Sequence, residues 1–225
     1  MAEDNVMMSG TVLDEETHSP PLSRRERKKQ LMRESLIKVA YELFESKGFD
    51  ETRVEDITER VDVSVRTFFR YFASKEDVLL DYQEAEHRDL MAQLKKRPPQ
   101  EPVLTALRRA AVSTVKGCEE CAYGFDADRF MTLQNLIRNN PVVRAHNLEK
   151  GQNRLHDIAH LLAERMGVDP ATDMRPLIAA GTLEFAYHST YELWKKRKYC
   201  DKQFSDLLSE VFSVIEQGIN FPAKR

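Results

Sequence analysis

The chain has 225 residues, 41% of them hydrophobic, and a formal net charge of −3. This length is enough for one or two packed cores, and the low content of Gly (8) and Pro (9) favours helices over sheets. The sequence has no run of 18 apolar residues, no basic-then-apolar leader and only three cysteines. A membrane-spanning protein and a disulfide framework are therefore excluded, and we expect a cytoplasmic protein.

Positive charge is concentrated in one part of the chain. Residues 1–21 carry five acidic and no basic side chains, whereas residues 22–75 carry 13 basic and 10 acidic ones. Because local charge governs attraction to phosphate, the mildly acidic whole is compatible with nucleic-acid binding by residues 22–75.

Residues 1–22 mix acidic, Ser, Thr, Pro and Met residues without periodicity, which predicts a disordered tail. A first helix is predicted from Arg24 to Lys47, with Gly48 as its C-cap. Its basic start, residues 24–29, is interpreted equally well as a minor-groove contact or as a solvated helix start.

Residues 52–71 have the pattern of a helix-turn-helix. Thr52 with Glu55 fits a capping box that starts one short helix, and Ser64 caps a second one after a tight turn. Each helix has apolar side chains at i, i+3 and i+7, which are, in chain order, Val54, Ile57, Val61, Val65, Phe68 and Phe72. Two short helices joined in this way place the second one in the major groove of DNA.

Over residues 24–94, about a third of the chain, the sequence resembles the N-terminal domain of the TetR family of bacterial transcriptional repressors. The matching motifs are Ala40-x-x-Leu43-Phe44-x-x-x-Gly48-Phe49, Thr52-x-Val54-x-Asp56-Ile57 and Val63-Ser64-x-x-Thr67-Phe68-Phe69-x-Tyr71-Phe72-x-Ser74-Lys75-Glu76. Family members usually carry a small residue where Thr58 stands and Gly where Asp62 stands. Asp tolerates left-handed backbone better than most residues, so we expect the turn to form at a modest cost.

The resemblance implies an all-α fold of nine helices. An N-terminal helix-turn-helix bundle, residues 23–94, would bind DNA, and residues 95–225 would form a helical domain for ligand binding and dimerisation. The boundary coincides with the breaker from Lys95 to Pro102. A fourth helix is predicted from Lys75 to Leu94. The five helices beyond it are predicted at Pro102–Lys116, Asp126–Asn139, Pro141–Met166, Ala171–Lys196 and Lys202–Asn220.

DNA contacts are predicted from the exposed positions of the second short helix and its surroundings. Arg66 is expected to read guanine through O6 and N7, and Thr52 and Arg53 lie where a helix N-terminus can meet a phosphate. By resemblance, Phe69 stands where the family has a Tyr that packs on the DNA backbone, and Lys75 stands where it has a phosphate-binding Lys. The predicted set is Thr52, Arg53, Ser64, Val65, Arg66, Thr67, Phe69, Arg70 and Lys75.

The last predicted helix has an apolar stripe too wide for one partner, and small residues at 179–181 in the preceding helix allow close approach. These features predict a homodimer through a four-helix bundle. The predicted contacts are Ala180, Phe204, Leu207, Leu208, Val211, Phe212 and Ile215. The alternative is that the stripe packs only within its own subunit.

In the family, a cavity among the C-terminal helices binds a small molecule, and the resemblance implies one here. The predicted lining consists of polar or amphipathic groups and their neighbours: Phe130, Leu133, Asn135, Glu184, Tyr187, His188 and Tyr191. The alternative is that these side chains are core and dimer contacts with satisfied polar tips.

Cys118 and Cys121 form a single CxxC motif. Zinc needs a second pair of ligands, which Cys200 and a histidine would supply only if the fold happened to bring them together. His156 and His160 are at i, i+4 but lack the Glu of HExxH, so we interpret them as solvated or half-buried and expect no metal or cofactor.

The sequence thus predicts a transcriptional repressor that binds a palindromic DNA operator as a dimer and is released by a small-molecule effector. By resemblance, the effector tilts the fourth helix and changes the spacing of the recognition helices. A redox- or metal-responsive regulator that uses Cys118 and Cys121 is the alternative. No GxSxG, HExxH, P-loop or paired-carboxylate pattern supports an enzyme.

Overall fold

The structure, a computed structural model, describes residues 23–122, 126–196 and 202–219. The predicted tail, residues 1–22, lies outside this part of the chain. The ten helices of the described residues are α1 (Arg24–Ser46), α2 (Val54–Val61), α3 (Val65–Phe69), α4 (Lys75–Leu79), α5 (Asp81–Lys96), α6 (Val103–Glu119), α7 (Ala127–Asn139), α8 (Pro141–Met166), α9 (Arg175–Trp194) and α10 (Phe204–Gln217). The predicted all-α class is confirmed. No helix within the described ranges is long and apolar enough to cross a membrane.

Several helix ends follow directly from the local sequence. Ser23 and Glu26 form a reciprocal capping box at the start of α1, and Gly48 follows its end with φ of +93°. Asn140 caps α8 by accepting hydrogen bonds from the backbone N–H groups of Val142 and Val143. Gly167 ends α8 in the left-handed conformation.

The predicted fourth helix is divided at Leu80 into α4 and α5, which raises the helix count from nine to ten. Val78, Leu79 and Leu80 are all buried, and an unbroken helix would turn three consecutive side chains to different sides. The break at Leu80, where ψ is 4°, lets all three enter the core. The Leu79 carbonyl accepts a hydrogen bond of 3.0 Å from the hydroxyl of Tyr41 on α1.

Two hydrophobic cores organise the packing. The first is formed by helices α1, α2, α3 and α4 and includes Leu133 of α7 and Val143 of α8. The second joins α6, α8, α9 and α10 with Leu90 and Leu94 from the last turns of α5. Helix α5 therefore runs from the first core into the second.

Four of the predicted dimer contacts are buried within the subunit, and three of them, Ala180, Leu208 and Phe212, belong to the second core. Ala180, Leu207, Leu208 and Phe212 are at most 1% exposed within a single subunit, so they have no surface to offer a second one. The remaining three, Phe204, Val211 and Ile215, are partly buried against the same core. Leu207, Leu208 and Phe212 of the α10 stripe thus pack within their own subunit, where α10 contacts α6 and α9, and the dimer contact of the partly buried residues stays a prediction.

Candidate nucleic-acid interface and effector cavity

The turn between α2 and α3 forms with Asp62 in the left-handed conformation, at φ 58° and ψ 51°. The N–H of Val63 donates to the Thr58 carbonyl at 3.0 Å, and the N–H of Asp62 donates to the Glu59 carbonyl at 3.2 Å. These bonds satisfy the last carbonyls of α2. Asp62 therefore supplies the turn that the resemblance associates with Gly.

The first cap of the motif lies one residue later than predicted. The side-chain carboxylate of Asp56 accepts from the Arg53 N–H at 2.8 Å, so Arg53 is the residue that precedes α2. Thr52 is 1% exposed, and its hydroxyl donates to the Gly48 carbonyl at 2.7 Å. The prediction that Thr52 caps α2 is wrong, and its predicted DNA contact stays a prediction for which this enclosed side chain offers little exposed surface.

The outer surface of α3 carries two guanidinium groups and an aromatic ring. Arg66 and Arg70 are exposed, and Phe69 is 53% exposed beside Phe68, which is fully buried. The two phenyl rings meet edge to face with centroids 5.5 Å apart, which holds Phe69 against the helix. A buried anchor and an exposed cationic surface on opposite sides of one short helix suit insertion into a groove.

Ser64 caps α3 as predicted. Its hydroxyl oxygen accepts from the Thr67 N–H at 3.1 Å and lies 2.9 Å from the Thr67 hydroxyl. Val65 is half-buried and Arg53 is exposed. Of the predicted DNA contacts, the structure places Ser64, Val65, Arg66, Thr67, Phe69 and Arg70 on α3 or at its ends, and Arg53 immediately before α2.

Lys75 is engaged within the protein. Its ammonium donates to the carbonyls of Phe49 at 2.8 Å and Thr52 at 3.0 Å, with Asp50 at 3.4 Å, and it lies 4.3 Å from the centre of the Phe49 ring. All three ammonium hydrogens thus have partners in the α1–α2 connection. To make the predicted phosphate contact, the ammonium would have to exchange at least one of these bonds, so that contact stays a prediction.

Arg33 of α1, which the sequence analysis did not single out, connects the end of α3 with the start of α5. Its guanidinium is paired with Asp81, donates to the Tyr71 carbonyl at 3.0 Å and lies 4.4 Å from the centre of the Phe72 ring. No local pattern could have indicated this role, since its partners lie 38 and 48 residues away.

Asp77 of α4 connects the helix-turn-helix region with α8. Its carboxylate lies 2.9 Å from Nε2 of His146 and 3.2 Å from Nζ of Lys150. Burial acts to raise the pKa of Asp77, but the hydrogen bonds from His146 and Lys150 outweigh it and hold the pKa below its ordinary value.

A cavity of about 350 Å³ lies among α5, α7, α8, α9 and α10. Of the predicted lining residues, Phe130, Glu184, Tyr187, His188 and Tyr191 face it. Leu133 does not, because it is buried in the first core, and Asn135 is exposed on the outside of α7. Four predicted residues of α9 and Phe130 of α7 thus line this cavity, whereas Leu133 and Asn135 of α7 do not.

One wall of the cavity is formed by α5, and none of its residues was predicted from the sequence to line a cavity. Its contributing residues are Tyr82, Gln83, Glu86, His87 and Leu90. These positions recur at i, i+1, i+4, i+5 and i+8, which is one face of a helix. Polar and aromatic residues along an inward face are the signal that could have indicated a cavity in place of a packed core.

Glu86 stands at the centre of this wall. The Tyr187 hydroxyl donates to its Oε1 at 2.9 Å, and the Tyr187 ring stacks on Phe204 with centroids 6.3 Å apart. Burial raises the pKa of Glu86, and the Tyr187 hydrogen bond and the Arg154 charge only partly offset this. Oδ1 of Asn147, another lining residue, is buried and has no hydrogen-bond partner among the described residues.

The two cysteines of the CxxC motif differ in environment. Cys118 is buried at the end of α6, and burial raises the pKa of its thiol well above the ordinary range. A reactive sensor needs a thiolate, so this arrangement does not favour the redox alternative. In the described ranges no three His, Cys, Asp or Glu side chains are grouped to hold a metal, and Cys200 lies outside those ranges. His156 and His160 are both exposed.

Residues 36–82 match the family described as "Bacterial regulatory proteins, tetR family", and residues 101–220 match the "MftR C-terminal domain". The HTH-type transcriptional regulator TcmR of Streptomyces glaucescens is 37% identical over 155 residues, 68% of each chain. MftR of Mycobacterium tuberculosis, a proposed regulator of mycofactocin biosynthesis, is 26% identical over 89% of this chain and 98% of its own.

Among solved structures, the fatty acid degradation regulator FadR from Bacillus halodurans has the same fold. Its TM-score is 0.53 at 20% identity, covering 85% of this chain and 97% of that one. The curated relatives are transcriptional regulators. The capped helix-turn-helix, the second helical core and these matches lead to one conclusion: the chain belongs to the TetR family of DNA-binding transcriptional regulators.

Proposed function

We propose that this regulator is a homodimeric repressor that binds a palindromic operator through α3 and is released when a small molecule enters the cavity. The observation that carries the proposal is the surface of α3, where Arg66, Phe69 and Arg70 are exposed beside the buried anchor Phe68. Residues 23–94 are assigned to DNA binding, and the rest of the chain to the effector and the dimer.

Within the interface, Arg66 is assigned to a guanine base and Arg53 and Arg70 to phosphates. Val65 and Phe69 supply apolar contact, and the hydroxyls of Ser64 and Thr67 support the helix start and lie within reach of the DNA backbone. Lys75 positions the interface from behind by holding the α1–α2 connection.

The dimer is assigned to a different surface from the one predicted by the α10 stripe. Leu177, Ile178 and Phe185 of α9 are 47%, 58% and 60% exposed, and Val214 of α10 is 45% exposed. Gly181 lies between them along α9, and a Cβ there would meet no atom of the same chain within 4 Å. Apolar side chains around an open glycine allow a second helix to approach closely.

The route from cavity to interface is short. Tyr82 lines the cavity, and its neighbour Asp81 is paired with Arg33, which also binds the Tyr71 carbonyl just after α3. A ligand that displaces the first turn of α5 therefore acts on the bonds that position α3. Weakening operator binding 100-fold requires about 2.7 kcal/mol of coupling between the two sites.

The test is selection of bound fragments from random duplex DNA, followed by competition with a panel of metabolites. We expect a palindromic site with half-sites about 34–36 Å apart, because two recognition helices related by a two-fold axis meet the same face of the duplex. Absence of any preference for duplex DNA over heparin at moderate salt, in protein freed of bound small molecules, would overturn the proposal.

A further inference from the structure

The cavity wall contains two carboxyl groups. Glu86 of α5 and Glu184 of α9 both line it, and within the described part of the chain neither carboxyl forms an ion pair. Burial raises the pKa of Glu86 and so favours its neutral form, and a ligand cation beside this carboxyl would stabilise the charged form by supplying the missing partner.

Two basic groups of the same wall, Arg154 and His87, are already engaged. Arg154, the one Arg or Lys among the described lining residues, donates to Glu84 at 2.9 Å and to Gln83 at 3.3 Å. His87 lies 3.3 Å from Asp157, and burial lowers the pKa of His87, so its ring is neutral at pH 7. Apart from His188, which is exposed, the described lining residues therefore include no unengaged basic side chain that could receive a carboxylate or a phosphate.

Five aromatic rings complete the lining. The Phe130 ring meets Tyr82 at 6.3 Å and Tyr191 at 5.9 Å, each edge to face, and Tyr187 is stacked on Phe204. Aromatic faces attract cations and stack on flat ring systems. A volume of about 350 Å³ suits a drug-sized molecule and is at the small end of the range for ligand pockets.

We infer that this cavity takes a flat aromatic compound that carries a protonated amine, with the ammonium against Glu86 and the rings against the aromatic wall. The Tyr187 hydroxyl already donates a hydrogen bond to one carboxyl oxygen of Glu86 and so orients the carboxyl group. The ligand ammonium would form an ion pair with this carboxyl group. The inference rests on the proposed function only in taking this cavity as the effector site.

Three acridines of the same size and different charge test it: 9-aminoacridine is a cation, acridone is neutral and acridine-9-carboxylate is an anion. Calorimetry on the full chain without DNA measures their affinities. Trp194, the only tryptophan, lies 6.2 Å from the Phe204 ring of the wall, so quenching of its fluorescence reports occupancy independently. We expect the amine to bind about tenfold tighter than acridone, and the carboxylate to bind most weakly.

Glu86→Gln keeps the shape of the side chain and removes its charge. We expect it to weaken the amine about tenfold and to leave acridone almost unchanged. Glu192→Gln, on the same helix as Tyr187 but outside the cavity, is the matched control and should change neither. If Glu86→Gln does not fold, Glu184→Gln should still weaken the amine about threefold, because its carboxyl lies further from the buried centre of the wall.

The inference is overturned if acridone or the carboxylate binds best, if none of the three binds, or if Glu86→Gln leaves the amine unaffected. These outcomes differ from failure of the proposed function. A ligand of another class that still releases operator DNA would leave that function intact, whereas absence of operator binding would remove it whatever the acridines do.

Discussion

At the scale of single residues, exposure separates side chains that can meet DNA from those that hold the interface in place. Arg66 and Arg70 are exposed on α3, whereas Lys75 has its ammonium bonded to the carbonyls of Phe49 and Thr52. All three are cations on or next to the short helices α3 and α4. Their different surroundings predict different consequences of removal.

Arg66→Ala should reduce discrimination between the operator and random DNA by about 1–3 kcal/mol, since a bidentate contact with guanine would be lost. Binding to random DNA should change much less. Titration of both DNAs at one salt concentration measures the two affinities. Equal losses on both would refute the base-reading assignment.

Lys75→Met should lower the free energy of unfolding by about 1–3 kcal/mol, because three carbonyls lose a charged donor. It should leave the salt dependence of DNA binding unchanged. Arg70→Met is the matched control: it should change stability little and reduce the slope of log K against log salt by about 0.9. A reduced slope without loss of stability for Lys75→Met would instead indicate a phosphate contact.

At the scale of elements, short helices are held by partners far away in sequence. Helix α4 has five residues and is too short to be stable alone. It is fixed by burial of Val78 and Leu79, by the Tyr41 hydrogen bond and by the contacts of Asp77 with α8. The position of α4 therefore depends on α1 and α8 together.

Asp77→Asn should lower the free energy of unfolding by about 1–2 kcal/mol at pH 7, because His146 and Lys150 lose a charged partner. The folded-state pKa of Asp77 lies below the ordinary 3.8, so its stabilisation is present above pH 3.8 and is lost as the pH falls through the folded value. Urea unfolding of both proteins from pH 7 to pH 3 measures the difference. A difference that does not shrink at low pH would contradict the ion-pair account.

At the scale of the whole molecule, the exposed apolar surface of α9 determines how two copies can meet. Ile178 on this surface is 58% exposed, and Leu148 on α8, which is not assigned to it, is 60% exposed. The two residues are matched in type and exposure. They differ only in whether they lie on the proposed dimer surface.

Ile178→Arg should weaken the dimer by at least about 100-fold. Each subunit of a two-fold symmetric dimer contributes one Ile178, so the loss of about 1.5–3 kcal/mol per buried side chain occurs twice. Leu148→Arg should leave the dimer intact. Sedimentation over a range of concentrations measures both, and operator binding should fall with the dimer. Dissociation by Leu148→Arg but not by Ile178→Arg would place the interface elsewhere.

The sequence alone was sufficient where the deciding contacts are local. The α1 boundaries, the Ser64 cap, the left-handed turn at Asp62 and the Asn140–Pro141 helix start depend on residues within about four positions of one another. These local signals, at fixed offsets over three helices, were enough to indicate the helix-turn-helix and its family. Where two adjacent residues compete for one local role, as Thr52 and Arg53 do, the sequence placed the cap one residue early.

The tertiary structure decided what covers each apolar face. Periodicity showed that α10 has an apolar stripe, but only packing showed that Leu208 and Phe212 meet the core of their own subunit while Phe185 of α9 stays exposed. The tertiary fold likewise determines which carbonyl groups accept hydrogen bonds from Lys75, and it places Glu86 of α5 in the cavity wall. The physical reason is that hydrophobicity and charge are properties of a side chain, whereas burial and pairing depend on groups that the chain brings together from tens of residues away.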